Sequence, residues 1–248
     1  VLHLCDSEFN LPRQHAMAVC EEFIARRLGE RVRWYCYASV YPFSDNLAQA
    51  MREAGCLGIN FGVDSGCDRM LAALKRPYRR EAIVEAVDAC RQAGITIMLD
   101  LLFGGPGEDE ASVRESIEFV KALEPDRVGA PVGLRVYPRT PLERLVKSQG
   151  PMAGNPNLRG HREGNDNFLL PVFYVDRGMG EDPAGMLIDL IGGDERFFPP
   201  PRAQGPTNYN YNDNDVLQKA ILAGERGAYW DILRRIPRPT ATENQDRT

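Results

Sequence analysis

The sequence predicts an α/β fold in which five parallel strands form an open or partial barrel. Short apolar runs alternate with amphipathic helical stretches along residues 1–148, which is typical of βα units around a parallel sheet. The predicted strands begin about 25 to 38 residues apart, close to the length of one βαβ unit. Five strands are too few to close an eight-stranded barrel. The predicted strands are Val1–Cys5, Val32–Ala38, Leu57–Val63, Ile95–Phe103 and Arg127–Tyr137.

The stretches between these strands carry apolar residues at intervals of three and four, which places one apolar stripe on each predicted helix. We expect each stripe to pack on the sheet. Gly94 follows the second helix at the position where a left-handed residue most easily ends a helix. The stripes consist of Ala16, Val19, Cys20, Phe23, Ile24 and Leu28 in the first helix, Ile83, Ala86, Val87 and Cys90 in the second, and Val113, Ile117 and Val120 in the third.

The amino-acid composition changes after Gly150, where glycine, proline and asparagine become frequent. This composition predicts irregular structure that covers the core, and not a second globular domain. Two short helices are expected within it, at Asp215–Ala223 and Ala228–Ile236. The predicted organisation is a core at residues 1–148, a covering extension at 149–236 and a disordered polar tail at 237–248.

Composition and charge argue against several classes of partner. The net charge of −5 comes without a basic stripe, so nucleic acid is not favoured as a partner. No run of about 18 apolar residues predicts a membrane span, and the start lacks the features of a signal peptide. The expected location is therefore the cytoplasm. The cysteines lack the spacing of a zinc or redox motif and are predicted to be buried thiols; they are Cys5, Cys20, Cys36, Cys56, Cys67 and Cys90.

Polar side chains follow each of the five predicted strands at the point where it ends. The carboxyl ends of parallel strands meet at one edge of a sheet, and ligands of such folds bind there. A strand-end Asp or Ser is also a common helix cap, so one such residue alone carries little weight. The strand-end groups are Asp6, Ser7 and Glu8, then Tyr37 and Ser39, then Asp64 and Ser65, then Asp100 with the loop Gly104–Glu108, and last Tyr137, Arg139 and Thr140.

Asp100 is the most informative of these residues. It lies in the apolar run Ile-Met-Leu-Asp-Leu-Leu-Phe, where a buried carboxylate without a partner would cost several kcal/mol. It therefore needs a hydrogen-bond donor from the protein or from a ligand. The glycine loop at 104–107 lacks the Gly-Lys-Ser/Thr ending of a phosphate-binding P-loop. Close approach of the backbone to a flat ligand is an equally good use of its glycines.

Four successive motifs resemble the strand-end motifs of the radical S-adenosylmethionine (SAM) enzyme superfamily. They read Phe-Gly-Val-Asp-Ser-Gly at 61–66, Leu-Lys-Arg-Pro-Tyr at 74–78, Asp-Leu-Leu-Phe-Gly-Gly-Pro-Gly-Glu at 100–108 and Arg-Val-Tyr-Pro-Arg-Thr-Pro-Leu at 135–142. Each is weak alone, but their order and separation match the family. The resemblance covers residues 1–148 and implies a partial (βα)6 TIM-like barrel, of which this chain would hold the last five strands.

The resemblance implies a SAM-binding site at these strand ends. The residues of the chain would bind and orient SAM, and none is expected to act as acid, base or nucleophile or to ligate a metal. A guanidinium suits the methionine carboxylate because it donates two parallel hydrogen bonds. The implied methionine and ribose contacts are Asp6, Ser7 and Glu8 for the amino group, and Asp64, Ser65 and Arg76 for the carboxylate and the ribose.

The same resemblance implies contacts with the nucleoside half of SAM. Asp100 matches an acceptor for the ribose hydroxyls, which would supply the partner that a buried carboxylate needs. The positions where adenine packs correspond to Leu102, Gly104 and the backbone of Val136 and Tyr137.

One departure from the family concerns its iron–sulfur cluster. The family binds a [4Fe–4S] cluster through Cys-x3-Cys-x2-Cys, and this spacing is absent from the chain. Three such ligands leave one iron to chelate SAM, and reduction then cleaves SAM to a 5′-deoxyadenosyl radical. The chain begins without methionine, inside a predicted strand, so we expect it to be truncated, with the first barrel strand and the cluster ligands upstream. This chain alone is therefore expected to be inactive.

Two further segments, Cys5–Pro12 and Arg226–Asp231, resemble radical SAM proteins that carry an upstream cobalamin-binding domain. Many of those proteins are methyltransferases. The implied function is reductive cleavage of SAM or cobalamin-dependent methyl transfer, with SAM, the [4Fe–4S] cluster and cobalamin as cofactors. The implied partners are an unidentified small-molecule or peptide substrate and an electron donor such as flavodoxin or ferredoxin.

Two alternatives stay open on the sequence. The first is a TIM-barrel-like lyase or isomerase that uses Asp100 or Glu108 in acid–base chemistry. It would need a Lys or His at a strand end, and none is found there. The second is a non-catalytic scaffold that kept the barrel after losing the cluster. Cys-x3-Cys-x2-Cys upstream of the chain would favour the enzyme, and its absence would favour the scaffold.

Overall fold

The structure is a computed structural model that describes residues 1–198 and 215–236. Its strands are β1 (Leu2–Leu4), β2 (Trp34–Ala38), β3 (Cys56–Asp64), β4 (Thr96–Leu101), β5 (Arg127–Gly129), β6 (Leu134–Arg135), β7 (Leu158–Gly160), β8 (Val172–Tyr174) and β9 (Phe197–Phe198). Its helices are α1 (Arg13–Ala25), α2 (Asp45–Glu53), α3 (Asp68–Ala73), α4 (Arg80–Ala93), α5 (Glu110–Leu123), α6 (Pro141–Ser148), α7 (Pro183–Ile191), α8 (Asp215–Leu222) and α9 (Tyr229–Arg235).

The main sheet is parallel and has the order β1-β2-β3-β4-β5-β9, which confirms the α/β class. Within the described ranges β1 and β9 are its two edges, so the sheet does not close on itself. The sheet has six strands where five were predicted. The additional strand, Phe197–Phe198, has only two residues, too few to show the alternation by which a strand is predicted.

The fifth predicted strand is wrong in its second half. Strand β5 ends at Gly129, and Leu134–Arg135 belongs to a separate antiparallel sheet of order β6-β8-β7. Pro131 has no amide hydrogen to donate to a ladder, and Gly133 turns the chain with a φ of 106°. The apolar run thus continues in sequence while the backbone changes sheets.

The outer face of the main sheet packs against α1, α2, α4, α5 and α7. Alternate residues of β3, among them Ile59, Phe61 and Val63, are fully buried in this core. Burial of each such side chain stabilises the fold by about 1.5–3 kcal/mol. Asp109 caps α5 by accepting a hydrogen bond of 2.9 Å from the Ser112 amide. The end signal predicted at Gly94 is confirmed, since this residue terminates α4 with a φ of 69°.

The inner face of the sheet is covered at its amino end by α9. The Trp230 ring packs edge-on against Tyr35, with ring centroids 5.8 Å apart, and lies over Gly58. The Tyr35 hydroxyl donates a hydrogen bond of 2.6 Å to Asp231. The helix expected at Ala228–Ile236 is thus present as α9, and it lies on the inner face.

The segment after residue 148 does more than cover the core, because it contributes β7 and β8 to the small sheet and β9 to the main one. The division at residue 148 stays a prediction, and the expected tail at 237–248 lies outside the described residues. Five of the six cysteines are buried as predicted, but Cys5 is exposed because it follows an edge strand. No helix in the described ranges is long and apolar enough to cross a membrane.

Candidate cofactor-binding site

The polar residues of the inner face concentrate at the carboxyl end of β3 and β4. Asn60 donates a hydrogen bond of 2.7 Å from its side-chain amide to the Asp100 carboxylate. Asp100 is paired in register with Gly62 on one side and with Gly129 on the other. A side chain at Gly129 would collide with the Asp100 carboxylate. The glycine therefore leaves the space in which Asp100 lies on the inner face.

An open cleft borders these residues. Gly62 is exposed although it lies in a strand with neighbours on both sides. A Cβ atom added at Gly62 would meet no atom within 4 Å. An exposed position in the middle of a sheet means that no side chain of residues 1–198 or 215–236 covers the inner face there. The cleft floor thus lies between Asn60 and Asp64, beside Asp100.

Asp64 and Arg76 form an ion pair at the edge of this cleft. Both Nε and Nη2 of Arg76 lie 2.5 Å from the same Asp64 carboxylate oxygen. The side chains are 15% and 32% exposed, so the pair is partly accessible. Burial raises the pKa of Asp64, and the Arg76 guanidinium offsets only part of that rise. The Nη1 group of Arg76 has no partner in the described part of the chain, which leaves it free to bind an anion.

The end of α3 explains how Arg76 reaches Asp64. Lys75 adopts a left-handed conformation with a φ of 58°, and the Arg76 amide donates to the Leu71 carbonyl at 2.9 Å. This hydrogen bond closes the last turn of the helix. Pro77 then prevents the helix from continuing. The guanidinium is thereby directed back over the end of β3.

The glycine loop after β4 is built around Glu108. The Glu108 carboxylate accepts hydrogen bonds from the amides of Gly104, at 2.6 Å, and Gly105, at 2.9 Å. Gly104 has a φ of 107°, a conformation that favours glycine. Glu108 is only 1% exposed, and burial raises its pKa to about 7. These two contacts hold the loop.

The segment after β1 contributes Glu8 to the same region. Burial raises the pKa of Tyr78 to about 12, and the nearby carboxylates of Asp64 and Glu8 add to the rise. Glu8 is half-buried, and its charge acts on both Arg76 and Tyr78, which places it near the Asp64–Arg76 pair. Asp6 and Ser7 are exposed, and among the described residues no hydrogen bond joins their side chains to the cleft.

Two of the expected site residues have side chains buried elsewhere. The Ser65 hydroxyl lies 2.9 Å from that of Ser116 and accepts a hydrogen bond from the Cys67 amide, so it packs against α5. Val136 is fully buried in the small sheet, where its amide donates to Val172 at 3.0 Å. These two side chains therefore face protein and not the cleft.

Two more of the four expected adenine contacts, Leu102 and Tyr137, differ in position. The Leu102 amide donates to the Asp64 carbonyl at 2.8 Å, which ties the end of β4 to that of β3. Tyr137 is exposed, with the Arg135 guanidinium 5.4 Å from its ring. The structure therefore brings six expected residues together at adjoining strand ends: Glu8, Asp64, Arg76, Asp100, Leu102 and Gly104.

Sequence reasoning missed Asn60 and Tyr78. Asn60 is a polar residue inside an apolar strand, two positions before Gly62 on the same face, and that pattern could have identified it. Tyr78 was recognised only as part of a motif. No group of three His, Cys, Asp or Glu residues in the described ranges is arranged to hold a metal ion.

Comparison with known proteins agrees with the resemblance in the sequence. A sequence model of the radical SAM superfamily matches residues 4–120. The tryptophan 2-C-methyltransferase of Streptomyces laurentii is 30% identical over 92% of this chain and 47% of its own length. The solved structure of the radical S-adenosylmethionine methyltransferase TsrM of Kitasatospora setae, with tryptophan and a SAM analogue bound, aligns with a TM-score of 0.82 at 26% identity.

That alignment covers 94% of this chain and 51% of TsrM. A second TsrM structure, with cobalamin and a [4Fe–4S] cluster bound, has the same fold, with a TM-score of 0.79 at 24% identity over 94% of this chain and 50% of that one. The chain spans about half the length of these relatives. Residues 4–120 match the radical SAM superfamily, and the parallel sheet of this chain agrees with that similarity.

Proposed function

We propose that this chain is the SAM-binding part of a cobalamin-dependent radical SAM methyltransferase. The observation that carries the proposal is the Asp64–Arg76 ion pair at the edge of the open cleft beside Asp100. The pair supplies a cation with a free donor, and Asp100 supplies a second acceptor, beside the open face at Gly62. The similarity to tryptophan 2-C-methyltransferase and to TsrM supports this choice among radical SAM activities.

SAM fits the groups that this cleft presents. Its amino acid carries a carboxylate that the free Nη1 of Arg76 can bind, and a protonated amine that the Glu8 side of the cleft can attract. Its ribose hydroxyls are donors suited to the Asp100 carboxylate. The exposed Gly62 leaves room for the nucleoside between these two ends. When bound, SAM supplies a sulfonium whose methyl group is activated for transfer.

The residues of this chain do not fit a [4Fe–4S] cluster. Five cysteines are buried among apolar side chains, and burial places the pKa of Cys36 and of Cys90 well above the ordinary value, which disfavours the ligating thiolate. Cys5 is exposed but has no second cysteine near it at the family spacing. We propose that the ligands of the cluster and of cobalamin belong to parts of the enzyme other than these 248 residues.

The methyl acceptor and the electron donor follow as further parts of the proposal. The relatives act on tryptophan by their names, which makes tryptophan the first acceptor to test. Flavodoxin or ferredoxin are suitable donors for reduction of the cluster. The net charge of −5 continues to disfavour nucleic acid as a substrate.

The test is a titration of SAM into the purified enzyme that contains this chain, with its cluster reconstituted, followed by calorimetry. Arg76→Ala removes a charged donor, and hydrogen bonds to charged groups contribute about 1.5–3 kcal/mol. We expect SAM affinity to fall about tenfold to a hundredfold. Arg91→Ala, which removes an exposed guanidinium on α4, is the matched control and should leave affinity unchanged. Equal affinities for the two variants would contradict the proposal.

A further inference from the structure

The end of β3 has an unusual backbone. The pairing of β3 with β4 is irregular between Gly62 and Asp64, and Asp64 adopts a left-handed conformation with a φ of 60°. A residue with a Cβ atom enters this region at a cost in free energy, so the surrounding structure must stabilise it. The direction of the Asp64 carboxylate therefore depends on contacts outside Asp64 itself.

Tyr78 supplies such a contact. Its hydroxyl donates to the carbonyl oxygens of Gly62, at 3.3 Å, and Val63, at 3.5 Å. These are the two carbonyls that immediately precede Asp64. Tyr78 is only 8% exposed, and burial raises its pKa to about 12, so the hydroxyl keeps its proton at neutral pH. One buried donor thus fixes the peptides on the amino side of the strained residue.

The loop that carries Tyr78 also carries Arg76. The two residues are two positions apart and both return to the same strand end, Arg76 to the Asp64 carboxylate and Tyr78 to the preceding carbonyls. No hydrogen bond in the described part of the chain joins the Tyr78 hydroxyl to the carboxylate or to the guanidinium. Tyr78 therefore acts on the ion pair through the backbone.

We propose that Tyr78 is a positioning residue that holds Asp64 in its left-handed conformation and so directs the Asp64–Arg76 pair toward the methionine part of SAM. This inference rests on the proposed function. The nucleoside part of SAM would lie beside the Asp100 side chain, and the described hydrogen bonds of the Tyr78 hydroxyl go to the backbone of Gly62 and Val63 and not to Asp100. Loss of the hydroxyl should accordingly weaken recognition of the amino acid and leave recognition of the nucleoside unchanged.

The experiment measures the affinities of SAM and of 5′-methylthioadenosine, which lacks the amino-acid part, for the same enzyme preparation. Tyr78→Phe removes one neutral hydrogen bond, so SAM affinity should fall about threefold to tenfold. Affinity for 5′-methylthioadenosine should not change. Tyr35→Phe is the matched control, because it removes a buried phenol hydroxyl bonded to Asp231 at the opposite end of the sheet. It should leave both affinities unchanged.

The double variant separates positioning from a general loss of structure. If Tyr78 acts through the ion pair, Tyr78→Phe should have no further effect on SAM affinity in an Arg76→Ala background. Fully additive losses, an equal loss for both ligands, or unchanged SAM affinity in Tyr78→Phe would each overturn the positioning role. Unchanged SAM affinity in Arg76→Ala would instead overturn the proposed cofactor site.

Discussion

Asn60 and Asp100 are joined across the two central strands by a hydrogen bond of 2.7 Å, with the Asn60 amide as donor. A carboxylate has about four lone-pair sites, so it can accept more than one hydrogen bond. We predict that Asp100→Asn weakens SAM binding about tenfold to a hundredfold, because it removes a charged acceptor from the ribose hydroxyls. Calorimetric titration of the reconstituted enzyme with SAM measures the change.

Asp88→Asn provides the comparison for that variant. Asp88 pairs with Arg91 on the exposed face of α4, so the same change of charge occurs away from the cleft. It should leave SAM affinity unchanged. Retained affinity in Asp100→Asn, with the circular dichroism spectrum of the parent protein, would remove Asp100 from the cofactor site.

Gly129 and Gly62 flank Asp100 in register. We predict that substitution by alanine destabilises the protein at Gly129 but not at Gly62. A Cβ at Gly129 would enter the space of the Asp100 carboxylate, and such overpacking costs about 1–3 kcal/mol. A Cβ at Gly62 would project into open space, so Gly62→Ala should change the free energy of unfolding by less than about 0.5 kcal/mol. Urea denaturation of both variants measures the difference. Equal stabilities would contradict the placement of Asp100 over Gly129.

The burial of Trp230 indicates that α9 contributes strongly to the stability of the fold. The side chain is fully buried against Tyr35, Gly58 and Met98. Trp230→Ala should lower the free energy of unfolding by about 3–5 kcal/mol, because it leaves a large cavity on the inner face. Leu222→Ala, at a site 87% exposed on α8, should change it by less than about 0.5 kcal/mol. Similar stabilities of the two variants would mean that α9 is only loosely attached.

The parts of the fold that could be predicted from sequence are those set by local periodicity. Strands β2, β3 and β4 and helices α4 and α5 lie where alternating and helical apolar patterns place them. Asp100 could also be identified from sequence, because it is a charged residue within an apolar run. The end of α4 at Gly94 could also be predicted, because the preference of glycine for a left-handed conformation does not depend on distant contacts.

The rest depends on contacts between distant segments. Tyr35 and Asp231 are 196 residues apart, and no local pattern indicates that α9 enters the inner face. Strand β9 is too short for any pattern. Residue type made Ser65 a site candidate and Glu108 an acid–base candidate. Their actual partners depend on tertiary packing, since Ser65 contacts α5 and Glu108 contacts the glycine loop.

The pKa of Glu108 predicts a pH dependence of stability. Burial raises it from an ordinary value of 4.5 to about 7 in the folded protein. Between these values the folded protein keeps a proton that the unfolded chain releases, so stability falls as pH rises and levels off above about pH 7. The slope contributed by one such group reaches at most about 1.4 kcal/mol per pH unit.

Glu108→Gln isolates this contribution, because the glutamine oxygen can still accept from the Gly104 and Gly105 amides but does not titrate. The variant should lose the part of the slope that Glu108 contributes. Its stability should therefore decline less than that of the parent protein between about pH 5 and pH 7. Urea denaturation of both proteins across this range measures the two slopes. Identical slopes would show that Glu108 is already ionised in the folded state, and that its two amide hydrogen bonds outweigh the effect of burial.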